Sequence, residues 1–317
     1  MTYGDRMTNQ SRAIGLLLPS REALLWGDSD LALIVDAARR AEQAGYDSVW
    51  AGDSLLARPR AEPLSLLSAV AGATTRVSLG TAVLLPLLRH PVSLAHALST
   101  LDRLSRGRVI VGIGPGAELP GTHAELAAIG VPSDRRISAM LETIGRCRRL
   151  WRGEETGMDL EPKPSHAGGP PIWLAGNGPR MLRETGTNFD GWLPFSPTPG
   201  EYATGLRAVQ EAAERAGRDP DSIATGVYLT VAIADGASEA ASELDVYMRA
   251  YYGVPAEVMA RAQACHAGTL ESAAEWFASY AAVGARHMVV RLARPGLTDY
   301  SATAKEVLGA ARGAAKA

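Results

Sequence analysis

Four stretches of the chain carry backbone-rich turns or small polar groups at the end of an apolar run, and each offers a definite chemistry. Gly176–Leu182 reads GNGPRML, with glycines two apart just before a helical pattern. Bare backbone there lets amide N–H groups and the positive end of a helix approach an anion such as a phosphate. A GxG pair serves a plain tight turn equally well. Gly112–Glu118 reads GIGPGAE. Gly114 and Gly116 would let a flat ring lie close to the main chain, and Glu118 is either a general acid/base or a solvated loop carboxylate. Val49–Ser54 reads VWAGDS. Its Asp53 and Ser54 stand where a carboxylate can hydrogen-bond a cofactor ring, orient a donor, or simply cap a helix. Val77–Pro91 reads VSLGTAVLLPLLRHP, in which Pro91 opens the next helix and makes His90 a helix-start residue.

Other catalytic signatures are missing from the sequence. It holds no GxSxG elbow, no HExxH and no Walker motif, which removes the commonest hydrolase and nucleotide-triphosphatase readings. His96, His123, His166, His266 and His287 show no ligand-like spacing and read as surface or packing histidines, so no metal site is expected. Cys147 and Cys265 are the two cysteines, far apart and outside any CxxC, and read as ordinary buried thiols. Lysine occurs at Lys163, Lys305 and Lys316 alone, which argues against a Schiff-base enzyme.

The elements that must carry these groups follow from the apolar pattern. Eight short branched runs begin near Ala13, Ser48, Val77, Val109, Ile172, Gly191, Gly226 and His287, and helical patterns lie between them. The runs are continuous instead of alternating, as expected of parallel strands covered on both faces. Between the first two, Leu31, Ile34, Val35, Ala38 and Ala41 repeat near helical spacing, and Gly45 supplies the stop. Eight strands in 317 residues predict an α/β fold of the (β/α)8 TIM-barrel type, one domain over residues 1–317, in preference to an open doubly wound sheet of fewer strands. Functional groups then gather at the carboxyl ends of the strands. Two segments, roughly 152–171 and 247–268, exceed normal connection lengths; they read as insertions that shape a pocket at the barrel mouth, or as oligomer contacts.

With 46% hydrophobic residues and a formal net charge of -2, the chain has ample core and no basic stripe, so nucleic acid is not an expected partner. The N-terminal MTYGDRMTNQSR lacks the apolar centre of a signal peptide, and no stretch is long and apolar enough for a membrane span. The expected location is cytoplasmic.

Together these segments resemble the luciferase-like monooxygenase superfamily, which includes enzymes using the deazaflavin coenzyme F420. The resemblance is carried by AGYDSVWAGDS (44–54), LGTAVLLPLLRHPVSLAHALSTLDRLSRGRVIVGIGPG (79–116), GVPSDRR (130–136) and PPIWLAGNGPRMLRETGTNFDGWLP (170–194), in family order. It implies F420 or FMN lying across the barrel mouth, with its phosphate near Gly176, Asn177, Gly178 and Pro179. It also implies a non-prolyl cis peptide at Ala82–Val83 backing the ring, and a homodimer. Asp53 and Ser54 would touch the ring edge or the substrate. Many relatives have Asp-His where this chain has Asp53-Ser54, and those oxidising alcohols with F420 carry a Glu where it has Pro115. Reduction of an enone or imine, or oxygenation with reduced flavin, is therefore favoured over dehydrogenation.

The reading is thus an F420- or FMN-dependent oxidoreductase, a luciferase-like monooxygenase by class, acting on a small organic substrate. Trp26, in the loop after the first strand, is a candidate substrate wall. Arg58, Arg60 and Arg294 are candidate partners for the acidic tail of F420. The alternatives are a non-catalytic flavin-binding protein of the same fold and a flavin-free phosphate-binding barrel lyase or isomerase.

Overall fold

Among the described residues, nine strands form one parallel sheet: β1 (Ala13–Leu17), β2 (Ser48–Ala51), β3 (Ser78–Thr81), β4 (Val109–Ile113), β5 (Ile172–Leu174), β6 (Gly191–Trp192), β7 (Ala224–Ile233), β8 (Ala264–Gly268) and β9 (His287–Leu292). The computed structural model describes residues 12–313 apart from 28, 29, 156, 158, 295, 296 and 298. Residues 1–11 of the stretch read above as lacking a signal peptide, and Lys316, lie outside the described residues. Consecutive strands pair from β1 to β7, and β9 pairs with both β7 and β1, so eight strands close into a (β/α)8 barrel. The eight apolar runs are the eight strands of this ring.

β8 stands outside the ring and was not foreseen. β6 has two residues and covers only Ala224 and Thr225 of the long β7. β8 pairs with the upper half of β7, from Leu229 to Ile233, and satisfies backbone groups that β6 does not reach.

The barrel interior is a packed core. Leu17, Trp50, Ile110, Trp173, Leu193, Tyr228 and Val289 fill it. Gly80 makes room for Trp50, since a β-carbon there would fall 2.1 Å from the indole. His287 sits edge-on to Trp50 and Trp173 at 5.4 and 5.1 Å, with a ring nitrogen 2.7 Å from Ser48 Oγ, as a packing histidine. Outside the ring, amphipathic helices such as Ala32–Ala44 present their apolar stripe to the strands, and that helix ends at Gly45 with φ of 105°, a left-handed cap that glycine adopts without strain.

The two long segments go to opposite rims. The stretch after the helix Arg136–Arg152 runs to the start of β5, so it lies at the amino ends of the strands, away from the mouth, where the expectation of a pocket insertion is corrected. Buried Asp102 pins it there by accepting the amides of Ser165 and His166 at 2.7 and 3.2 Å. The stretch after β7 forms the helices Ala237–Tyr252 and Ala256–Met259 and does cross the mouth. Among the described residues, no helix is long and apolar enough to cross a membrane.

Candidate active site

A cavity of about 460 Å³ opens at the carboxyl ends of the strands. Asp53, Ser54, Arg58, Arg60, Ala82, Val83, Gly116 and Glu118 line it, which brings together eight of the residues singled out by sequence. No lysine lines it.

Its floor is built where the chain leaves β3. The Ala82–Val83 peptide is cis, as the resemblance implied. Leu84 then rejoins the sheet, donating to Gly112 O at 2.7 Å and accepting from Gly114 N at 3.0 Å. This puts the Val83 side chain against Gly114, where a β-carbon would approach Val83 Cγ2 to 2.9 Å and Ala175 Cβ to 3.7 Å. Gly114 therefore lies beneath the floor, between the cavity and the next turn. Phe195 and Tyr228, edge-to-face at 4.7 Å, add an aromatic wall.

Asp53 is buried, and three donors already converge on its carboxylate. Arg89 contributes two of them, at 2.6 and 3.1 Å, and Leu85 N the third at 3.0 Å. Asp53 thus ties the end of β2 to the loop that carries the cis peptide. Arg89 also reaches Glu62 at 2.6 Å, at the start of the helix Pro63–Ala73.

Ser54 is committed in the same manner. Its hydroxyl donates to Glu125 Oε1 at 2.8 Å and accepts from Arg58 N at 3.0 Å. Glu125, from the helix Pro120–Ala128, gathers the amides of Leu55, Leu56 and Ala57 as well. Burial works to raise its pKa. The amide of Leu56, the hydroxyl of Ser54 and the amides of Ala57 and Leu55 outweigh burial and hold the carboxyl below its ordinary value. Sequence reasoning passed over both Glu125 and Arg89; the available signal was the one carboxylate on the short helix after the GIGPG turn and a cation beside His90.

Glu118 and the nominated residues outside the cavity, Arg294 among them, lie at its edge or apart from it. Glu118 is on the rim, its side chain 64% exposed, and pairs with Arg136 and with His123 at 2.6 Å. Trp26 does not line the cavity; it stacks on Tyr247 at 5.6 Å. Gly176, Asn177, Gly178 and Pro179 form the turn from β5 into the helix Pro179–Asn188, with Gly176 at φ of 124° and its carbonyl accepting Trp192 Nε1 at 3.0 Å. Asn177 Nδ2 donates to Phe195 O, and the turn is exposed from Asn177 on. Nothing lies within 4 Å of the place a Gly178 β-carbon would take. A separate groove of about 420 Å³ runs beside Asn177 toward Gly200 and Thr204.

These residues fit a planar cofactor with an anionic tail. The cavity has a small-residue floor at Ala82 and Val83, and the same rim carries an open backbone turn at a helix start, where an anion is favoured. Among the described residues, no group of histidines, cysteines and carboxylates could hold a metal.

The chain is similar to known proteins in sequence and in fold. The chain is 30% identical over 220 residues to a 5,10-methylenetetrahydromethanopterin reductase of Methanolobus tindarius, covering 67% of this chain and 65% of that protein's length. It is 35% identical over 256 residues to a phthiodiolone/phenolphthiodiolone dimycocerosates ketoreductase of Mycobacterium kansasii, covering 68% of each. Among solved structures, an F420-dependent secondary alcohol dehydrogenase in complex with an F420-acetone adduct superposes with a TM-score of 0.77 at 21% identity, over 95% of this chain and 99% of the other. A monooxygenase from Streptomyces bottropensis superposes at 0.75 and 21% identity, over 93% and 97%. The family model described as luciferase-like monooxygenase matches residues 13–302, and the chain belongs to that family.

Proposed function

We propose that the protein is an F420- or FMN-dependent oxidoreductase that carries out hydride transfer at a small, fairly apolar substrate held in the mouth cavity. The observation that carries this reading is the cavity floor at Ala82 and Val83, with Val83 packed on Gly114, and Gly114 in turn beside Ala175, the residue before the GNGP turn. When bound, the ring supplies the hydride chemistry. The chain's own residues position it. Gly176, Asn177, Gly178 and Pro179 hold the phosphate, Ala82 and Val83 back the ring, and Asp53 and Ser54 brace the loops around its edge. Arg180 lies beside the turn and adds positive charge there.

Reduction is the favoured direction. Ser54 spends its proton on Glu125 and is no general base, and Pro115 stands where alcohol-oxidising relatives carry Glu. The two curated relatives are named as reductases. A cytoplasmic homodimer belongs to the same proposal.

Titrating the cofactor-free protein with FMN and, separately, with F420 tests it. Binding of one of them on the order of micromolar, with loss in a Gly176→Val variant, supports the reading. Binding of neither removes it.

A further inference from the structure

Across the mouth from the GNGP turn, cations crowd the cavity with too little negative charge to balance them. In the ring of eight strands β1 lies four places from β5, so groups that end β9 or follow β1 and β2 face that turn from the opposite side. Arg291, near the end of β9, is 1% exposed; its Nη1 donates to Tyr252 Oη at 2.7 Å, and its Nε and Nη2 have no hydrogen-bond partner. The rings of Tyr228, Tyr247, Tyr251 and Tyr252 surround it at 4.7 to 5.5 Å. Arg21, also buried, donates to Tyr251 O at 3.0 Å.

Arg58 and Arg60 line the cavity itself. Arg60 Nε donates to Arg58 O at 3.2 Å, and among the described residues neither guanidinium enters an ion pair. The carboxylate within the cluster is Glu22, 2% exposed, which takes the Tyr247 hydroxyl on one oxygen and has no partner on the other. The carboxylates that line the cavity are committed, Asp53 to Arg89, Glu125 to amides and Glu118 to Arg136 and His123.

Four guanidinium groups gathered at a low-dielectric wall are costly unless an anion joins them, and a cage of phenol rings offsets only part of that cost. We infer that this end of the cavity binds the carboxylate of the substrate, with Arg60 and Arg58 meeting it and Arg291 acting through Tyr252 behind them. Leu85, Leu119, Val254, Val258 and Met259 line the remainder, so the substrate is a small carboxylic acid with an apolar body. This rests on the cavity being the substrate pocket of the proposed oxidoreductase. The acidic tail of F420 is the other source of carboxylates, and the position opposite the GNGP turn separates the two.

The test uses benzoate as probe and uncharged benzamide as its isostere, titrated into the protein with and without bound cofactor. Benzoate should bind about tenfold more tightly than benzamide or better, the worth of a charge-assisted hydrogen-bond pair. R60Q should erase that preference while leaving cofactor affinity within about twofold, and R60K should restore part of it; R58Q should weaken it less. Equal binding of the two probes overturns the inference, and so does an R60Q variant that loses F420 but keeps the benzoate preference. Benzoate selectivity in a protein that binds neither FMN nor F420 keeps the anion site and sinks only the oxidoreductase reading.

Discussion

Arg89 closes on Asp53 with both terminal nitrogens, Nη1 to Oδ2 at 2.6 Å and Nη2 to Oδ1 at 3.1 Å, between side chains that are 14% and 1% exposed. The pair joins the end of β2 to the loop that follows the cis peptide, so the cavity floor depends on a contact between its two neighbours. Arg89→Met leaves a buried carboxylate with one amide for company, and the expected loss is about 3–5 kcal/mol of unfolding free energy. Adding Asp53→Asn should recover part of it. Urea denaturation of the single and double variants checks this, and a loss below about 1 kcal/mol would place the pair with ordinary surface bridges.

Glu125 organises the loop after β2 through Ser54 and three amides. All four donors converge on Oε1, so Glu125→Gln keeps an acceptor there but loses the negative charge that holds them, and substrate KM should rise several-fold with a smaller change in kcat. The pH dependence has a definite sign. The folded pKa lies below the unfolded one, so the stabilisation is present above the unfolded carboxylate value of about 4.3 and is lost as pH falls through the lower folded value. Native protein and variant should differ most near neutrality and converge in acid. A stability difference unchanged down to about pH 3 would refute the assignment.

His287 acts in the same direction over a wider range of pH. Burial drops its pKa to about 3 from an ordinary 6.5, which keeps the ring neutral between Trp50 and Trp173. The unfolded chain binds the proton first, so stability from this group is present above about pH 6.5 and falls toward pH 3, by about 1.4 kcal/mol per unit. In His287→Gln that one-proton slope should disappear from a plot of unfolding free energy against pH. An identical slope in both proteins would assign the acid sensitivity elsewhere.

Gly176 adopts φ of 124°, and a β-carbon there would sit 3.1 Å from Met181 Cγ. Gly176→Ala should cost about 1–2 kcal/mol in stability through backbone strain. Its larger effect should be on FMN or F420 affinity, because the amides of the turn are displaced; Gly200→Ala, with nothing within 4 Å, is the neutral control. Equal cofactor affinity in both variants would detach the turn from cofactor binding.

Most of the ring was legible. Continuous apolar runs mark strands covered on both faces, and all eight ring strands announce themselves that way, with their glycine-rich turns at the correct rim. β8 was not legible, because ACHAG is short, interrupted by a histidine and buried within a long connection. The segment before β5 was placed on the wrong rim, although its position just ahead of a strand already sends it to the amino ends.

The amino-acid sequence alone determined what local chemistry determines: strand and helix periods, glycine at turns no other residue fits, and the family likeness that follows from their order. Tertiary structure decided which polar groups are spent on one another. Asp53 meets Arg89 across 36 residues, Ser54 meets Glu125 across 71, and Arg291 meets Tyr252 across 39. Spacing along the chain carries no record of such contacts, because barrel closure brings the ends of different strands to one rim and desolvates them together. That desolvation makes Asp53 a brace and Ser54 a committed donor, and leaves Arg60 at the cavity wall without an ion pair among the described residues.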